Sequence, residues 1–276
     1  MSDTRKIAAA FHDRAAEYDR HVSVQKRVVN NLAGYVQTHL HKVPASILDV
    51  GTGTGSLLLT LRGMYPEASL YGVDLAYNMC QRASAKLRAE CCVVNGDAEK
   101  IPFKSSTFDL VVSTSALQWV GSISQALHEL RRVLSPGATL CIAFFCDGTL
   151  GELQRCFRDA ASRDGDPEDE RTARLHRFRS IDDVKKILAG MDFEQVILNC
   201  ETEKDWYDDV TSLLRSIKSI GAGAVAGGSA IGLGWRGIIS KTSRLYMEYY
   251  GKDGRIPATY EVLYIYARTP MTRERL

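Results

Sequence analysis

No CxxC pair occurs among the seven cysteines, no GKS or GKT follows a glycine turn, and no long apolar run is present. Charge of one sign is also missing: 35 Lys and Arg face 33 Asp and Glu, a net charge of +2. Each absence excludes a class. Without the lysine motif there is no P-loop. Without a run of about eighteen apolar residues, no membrane span is expected. Balanced charge supplies no global pull toward nucleic acid. Only seven prolines accompany 22 glycines, and 45% of residues are hydrophobic, so disorder, collagen and a cystine-stapled miniprotein are excluded. The cysteines are odd in number and two are adjacent, which predicts reduced, mostly buried thiols in a cytoplasmic protein. The first twenty residues are charged throughout and lack an apolar signal core. The six histidines have no metal-ligand spacing, so no metal is expected.

What is present is an alternation. Residues 4–40 carry apolar positions at helical spacing and stop before Pro44. Short apolar runs follow: ILDV (47–50), SLYGV (69–73), CCVVN (91–95), FDLVVST (108–114) and ATLCIAFF (138–145). Helical stretches separate them at 54–64, 76–89 and 122–133, and Pro136-Gly137 reads as the turn into the fifth run. Buried strands alternating with helices predict a parallel sheet covered on both faces. Residues 147–180 read as helix, solvated loop and helix, with the acidic run DGDPEDE (164–170) as exposed surface. EQVILNC (194–200) reads as a sixth strand and TYEVLYIYA (259–267) as a strong last one. The expected organisation is an N-terminal helical segment over 1–43 and a core over 44–200. A mostly helical inserted cap over 201–257 and a final strand and tail over 258–276 complete it.

Asp49-Val50-Gly51-Thr52-Gly53-Thr54-Gly55 stands at a strand-to-helix junction, where glycines permit a tight turn and close approach of a ligand. The spacing is GTGTG rather than GxGxxG, and Asp49 just before it suits a cationic ligand and repels phosphate. Asp74 ends the second run and is placed to accept both ribose hydroxyls of a nucleoside. Asp97, in NGDAEKIPF, is placed to hold an adenine amino group, with Ala98 against the ring. Singly, such aspartates are ordinary turn formers; at the ends of successive strands beside GTGTG they predict an S-adenosylmethionine site. Gly51, Gly53, Gly55, Leu75, Met79 and Ser113 are assigned to the same cofactor pocket.

ILDVGTGTG, GVD, NGDAEKIPF, STFDLVVS and ELRRVLSPGATL resemble the signature segments of class I S-adenosylmethionine-dependent methyltransferases over 45–145. That resemblance implies a seven-stranded Rossmann-like α/β sheet, helices on both faces, the last strand antiparallel. The flanking segments FHDRAAEYDRHVSVQKRVVNNL, VVSTSALQWV, SLLRSIKSIGA and GRIPATYEVLYIYA are similar to the malonyl-[acyl-carrier protein] O-methyltransferases of biotin synthesis. The resemblance implies methyl transfer to the free carboxylate of a malonyl thioester on acyl-carrier protein, an acidic partner with a phosphopantetheine arm. S-adenosylhomocysteine would be the coproduct. No nucleic acid, no membrane and a monomer are expected. A small-molecule methyltransferase acting on a quinone ring or another carboxylate stays open as the alternative.

On that reading the acceptor needs a clamp rather than a base, because a carboxylate is already ionised at neutral pH. From Thr211 to Met247 there is no Asp or Glu, but five cations: Arg215, Lys218, Arg236, Lys241 and Arg244. Arg215 is favoured as the carboxylate clamp, and the other four are assigned to the carrier or its phosphate; a solvated helix face is the plainer alternative. Tyr18, His21 and Gln25 share a face of the first helix, with Tyr18 expected near the sulfonium and His21 near the acceptor. Gln118 and Trp119 follow the fourth strand at its carboxyl edge, as a carboxylate-orienting amide and a chamber wall. Tyr260, opening the last strand, is expected to reach the substrate.

Overall fold

A computed structural model describes residues 9, 11, 23–88, 91–161, 176–219 and 233–272, with the side chains of 233–236 excepted. Seven strands form one sheet: β1 (Ser46–Val50), β2 (Ser69–Asp74), β3 (Cys91–Asn95), β4 (Phe108–Thr114), β5 (Leu134–Phe145), β6 (Gln195–Tyr207) and β7 (Ile256–Arg268). The helices are α1 (Ser23–His39), α2 (Ser56–Met64), α3 (Tyr77–Leu87), α4 (Ile123–Val133), α5 (Gly151–Ala161), α6 (Ile181–Ala189), α7 (Val210–Ser219) and α8 (Leu233–Tyr250).

The strand order is β3-β2-β1-β4-β5-β7-β6. The first five strands run parallel, and β7 is antiparallel to both β5 and β6. This is the expected Rossmann-like methyltransferase sheet. Side chains alternate between its faces, as the twofold period of a strand requires. Leu110, Val112, Cys141 and Ala143 join a core with α1, α2 and α7. Val111, Leu140, Ile142 and Phe144 join another with α4 and α6. Burial on both faces explains why these strands read as continuous apolar runs. All seven cysteines are free thiols.

Three boundaries differ from the sequence expectation. Pro136 and Gly137 do not precede the fifth strand but lie within it; the β4–β5 register jumps from Phe108–Leu134 to Leu110–Thr139, and Gly137 takes φ +70° in the bulge. β6 does not stop at Cys200 but pairs with β7 continuously to Tyr207. Its second half, ETEKDWY, is polar because it faces α1. Tyr35 donates to Glu201 at 2.7 Å. Arg27 bridges Glu203 at 2.6 Å and Asp205 at 2.8 Å. The sheet therefore takes 201–207 and 256–257 from the stretch read as cap, and the acidic run 164–170 lies outside the described residues. Among the described residues, no helix is long and apolar enough to cross a membrane.

Candidate functional site

β1 neighbours β2 on one side and β4 on the other, so the strand order reverses at β1. The loops leaving the two neighbours of such a reversal part and open a crevice at the carboxyl ends of the strands. A cleft lies there, lined by the glycine turn, by Asp74, Leu75 and Met79 after β2, by Asp97 and Ala98 after β3, and by Ser115, Ala116 and Trp119 after β4.

The glycine turn is held from beneath. Gly51 and Thr52 both donate to the Val73 carbonyl, at 2.8 and 3.0 Å. Gly51 has φ +74°, and a Cβ there would stand 2.2 Å from that of Ala116. Only glycine permits this conformation beside this neighbour. Gly53 donates its N–H to Asp74 Oδ2 at 2.8 Å, and Ala76 donates to Asp74 Oδ1 at 2.8 Å. One amide on each oxygen leaves each an accepting lone pair, which matches a vicinal diol. Burial raises the Asp74 pKa, opposed by those two amides.

Asp49 is 1% exposed, and its Oδ1 has no hydrogen-bond partner in the described protein. Burial, with the negative charge of Asp74 nearby, pushes its pKa up to about 7. A buried, unpartnered carboxyl oxygen is costly and suits a cationic group arriving in the turn. The cleft presents two carboxylates, Asp74 and Asp97, and Asp49 lies buried just before the glycine turn. Those features fit the amino acid, ribose and adenine parts of S-adenosylmethionine.

A second chamber adjoins the first. It is lined by Val24 and Gln25 of α1, by Gln118, by Phe145 and Leu150, by Asp205 and Tyr207 of β6, by Ser216 and Ile217 of α7, and by Tyr260. Phe11, Ser115 and Trp119 line both spaces. Phe11 meets Trp119 edge-on at 5.9 Å. Ser115 has φ +53°, a strained conformation for a residue other than glycine, and its buried hydroxyl has no partner. Tyr260 is 8% exposed, and burial together with the neighbouring Tyr207 hydroxyl raises its phenol pKa well above the ordinary value. The Tyr207 hydroxyl lies 3.3 Å from that of Ser216.

The model of the family described as "Methyltransferase domain" matches residues 48–142. A malonyl-[acyl-carrier protein] O-methyltransferase of Geobacter sulfurreducens is 41% identical over 266 residues, spanning 96% of this chain and 98% of that protein. The chain belongs to the malonyl-[acyl-carrier protein] O-methyltransferase family. A member from Laribacter hongkongensis is 32% identical, over 99% of this chain and 92% of its own length. Among solved structures, the YcgJ protein of Bacillus subtilis aligns at TM-score 0.60 and 16% identity, covering 87% of this chain and 98% of that one. The plantazolicin methyltransferase BpumL, in complex with a pentazolic desmethylPZN analog and SAH, aligns at TM-score 0.55 and 15% identity, covering 97% of both. At these identities the structures share the fold.

In this O-methyltransferase, Asp49, Asp74, Asp97, Gly51, Gly53, Leu75, Met79 and Ala98 gather at or behind the first cleft. Two assigned cofactor residues do not. Gly55 turns away, and a Cβ on it would meet Leu87 and Ala83 of α3 at 2.9 and 3.2 Å, so it serves helix packing. Ser113 is fully buried and donates to the Val50 carbonyl at 2.6 Å, tying β4 to β1. Gln118, Trp119 and Tyr260 line the second chamber, and so does Gln25.

Arg215 does not. It is exposed and lines neither space, because Leu213 and Ile217 occupy the buried face of α7 and Ser216 faces the chamber. At about 100° per residue, position 215 falls on the opposite side. Lys218, Lys241 and Arg244 are likewise exposed and line neither space. Tyr18 and His21, and the side chain of Arg236, lie outside the described residues.

Phe11, Ser115, Tyr207 and Ser216 were not singled out by motif. The left-handed Ser115 sits in the STSALQW segment beside Gln118 and Trp119, and the SLLRSIK segment holds Ser216 next to Arg215. His176 packs against Trp119, with ring centroids 4.7 Å apart, and its pKa is lowered by burial. Among the described residues, no group of three or more His, Cys, Asp or Glu has metal-holding geometry.

Proposed function

We propose that the chain transfers the methyl group of S-adenosylmethionine to the free carboxylate of a malonyl thioester on acyl-carrier protein. The product is the methyl ester used in pimeloyl and biotin synthesis. The observation that carries this reading is the meeting of two unlike chambers at Phe11, Ser115 and Trp119. One offers carboxylates to a cationic nucleoside; the other offers the hydroxyls of Ser115, Tyr207, Ser216 and Tyr260 to an anion, with its carboxylate, Asp205, tied to Arg27 and Ser23.

Bound in the cleft, S-adenosylmethionine supplies an electrophilic methyl group on a cationic sulfur. Asp49 holds its ammonium end, Asp74 its ribose and Asp97 its base. Trp119 and Phe11 wall the junction and exclude water, so the acceptor meets the methyl in a fixed line. A carboxyl group ionises near pH 4, so its oxygen needs no base; it would take the methyl carbon as the sulfonium C–S bond breaks, leaving S-adenosylhomocysteine and the methyl ester. Tyr260 and Ser216 hold that carboxylate by neutral hydrogen bonds; the raised pKa of Tyr260 keeps the phenol a donor. Neutral donors withdraw less charge from the nucleophile than a guanidinium would. Asp205 is unsuited as a base for a ring substrate, since Arg27 and Ser23 occupy its oxygens at 2.8 and 2.5 Å.

Labelled S-adenosylmethionine incubated with malonyl-acyl-carrier protein should leave base-labile label on the carrier. Cofactor binding without any transfer to malonyl thioesters would sink the reading.

A further inference from the structure

The second chamber opens outward into a broad surface depression. The two share Ser23, Asp205, Tyr207 and Ser216, so one leads into the other. Three cations line the outer part: Lys26 on α1, Lys204 on β6 and Arg255 at the start of β7. Lys26 and Lys204 are exposed. Arg255 is held at the rim by the Trp206 carbonyl at 2.8 Å and by Asp208 at 3.7 Å. A guanidinium carries five N–H donors, so these contacts orient it without exhausting it. The one acid lining the depression, Asp205, is paired with Arg27.

We infer that this depression is the entry for the acceptor arm, with Lys26, Lys204 and Arg255 binding its phosphate. The inference rests on the proposed function and names the surface it requires. A thioester seated beside Tyr260 trails an uncharged pantetheine chain, and the first charge along that chain is a phosphodiester. The depression is where such an arm leaves the chamber, and it presents cations there. Arg215 and Lys218, on the outer face of α7, line no part of this path. An acidic carrier beyond the phosphate would be steered to the same rim.

The test compares wild type with the Lys26→Ala/Lys204→Ala variant on two acceptors. One is malonyl-acyl-carrier protein; the other is the malonyl thioester of N-acetylcysteamine, which keeps the thioester and lacks the phosphate. For the variant, KM for the carrier should rise by about tenfold at a kcat within about twofold, a loss of about 1.4 kcal/mol. Its kcat/KM for the short thioester should stay within about twofold, and added salt should weaken carrier use less than in wild type. An unchanged KM for the carrier, or equal losses on both acceptors, would overturn the inference. Wild type that binds S-adenosylhomocysteine but methylates neither acceptor would overturn the function itself, a separate result.

Discussion

The backbone N–H of Gly53 donates to the Asp74 carboxylate at 2.8 Å. One bond thus ties the turn after β1 to the end of β2 and aims the carboxylate at the cleft. Asn95 secures the same corner from β3, donating to the Asp74 and Leu75 carbonyls at 2.9 and 3.0 Å. Replacing Asp74 by Asn keeps one accepting oxygen and removes the charge. Hydrogen bonds to charged groups contribute about 1.5–3 kcal/mol, so S-adenosylhomocysteine affinity should fall by about tenfold or more. Titration calorimetry reads it; unchanged affinity would remove Asp74 from the site.

On the proposed reading, Asp49 should make cofactor binding depend on pH. In the ligand-free protein its pKa stands at about 7, and only the ionised form attracts the ligand's ammonium. Affinity should therefore rise as pH increases through about 7. Stability runs the other way. A carboxyl whose folded pKa is raised stabilises the fold below its unfolded pKa, near 4, and loses that contribution as pH rises through 7. The thermal shift given by S-adenosylhomocysteine should be larger at pH 8 than at pH 6, and Asp49→Asn should flatten the difference.

Gly51→Ala places a Cβ 2.2 Å from Ala116 in a left-handed backbone. Overpacking of this kind costs about 1–3 kcal/mol, and the melting temperature should drop by several degrees. Ala116→Gly in the same chain relieves the steric part and leaves the backbone strain, so it should restore part of the loss. A double variant no more stable than Gly51→Ala alone would show that the contact is not the cause.

Tyr260→Phe and Arg215→Ala separate the two accounts of the acceptor clamp. Loss of one neutral hydrogen bond, about 0.5–1.5 kcal/mol, should lower kcat/KM for malonyl-carrier by about threefold to tenfold in Tyr260→Phe. Arg215, exposed on α7, should alter kcat by less than about twofold when replaced. The reverse ranking would return the clamp to Arg215.

The first cleft was legible in the chain because its parts are local. A glycine turn between an apolar run and a helix, and an aspartate just after each of two strands, occupy fixed places relative to their own elements. Gly55 and Ser113 were misread because a residue within such a motif can serve packing: the αL cap of α2 and the β1–β4 tie use them. The polar half of β6 was read as cap because its partners on α1, Arg27 and Tyr35, are over 160 residues away.

By itself, the sequence determined the parallel sheet, the glycine turn at a strand-to-helix junction, and the family. Periodicity and short motifs record those, since each depends on neighbours along the chain. Only the tertiary structure decided how the second chamber is completed around Gln118, Trp119 and Tyr260. Its wall is assembled from α1, the β4 loop, β6, α7 and β7, and which side chains reach it depends on the rotation of each element against the sheet. On α7 the count of charges favoured Arg215, but a helix buries its apolar face, and that face carries Ser216 into the chamber and leaves Arg215 in water.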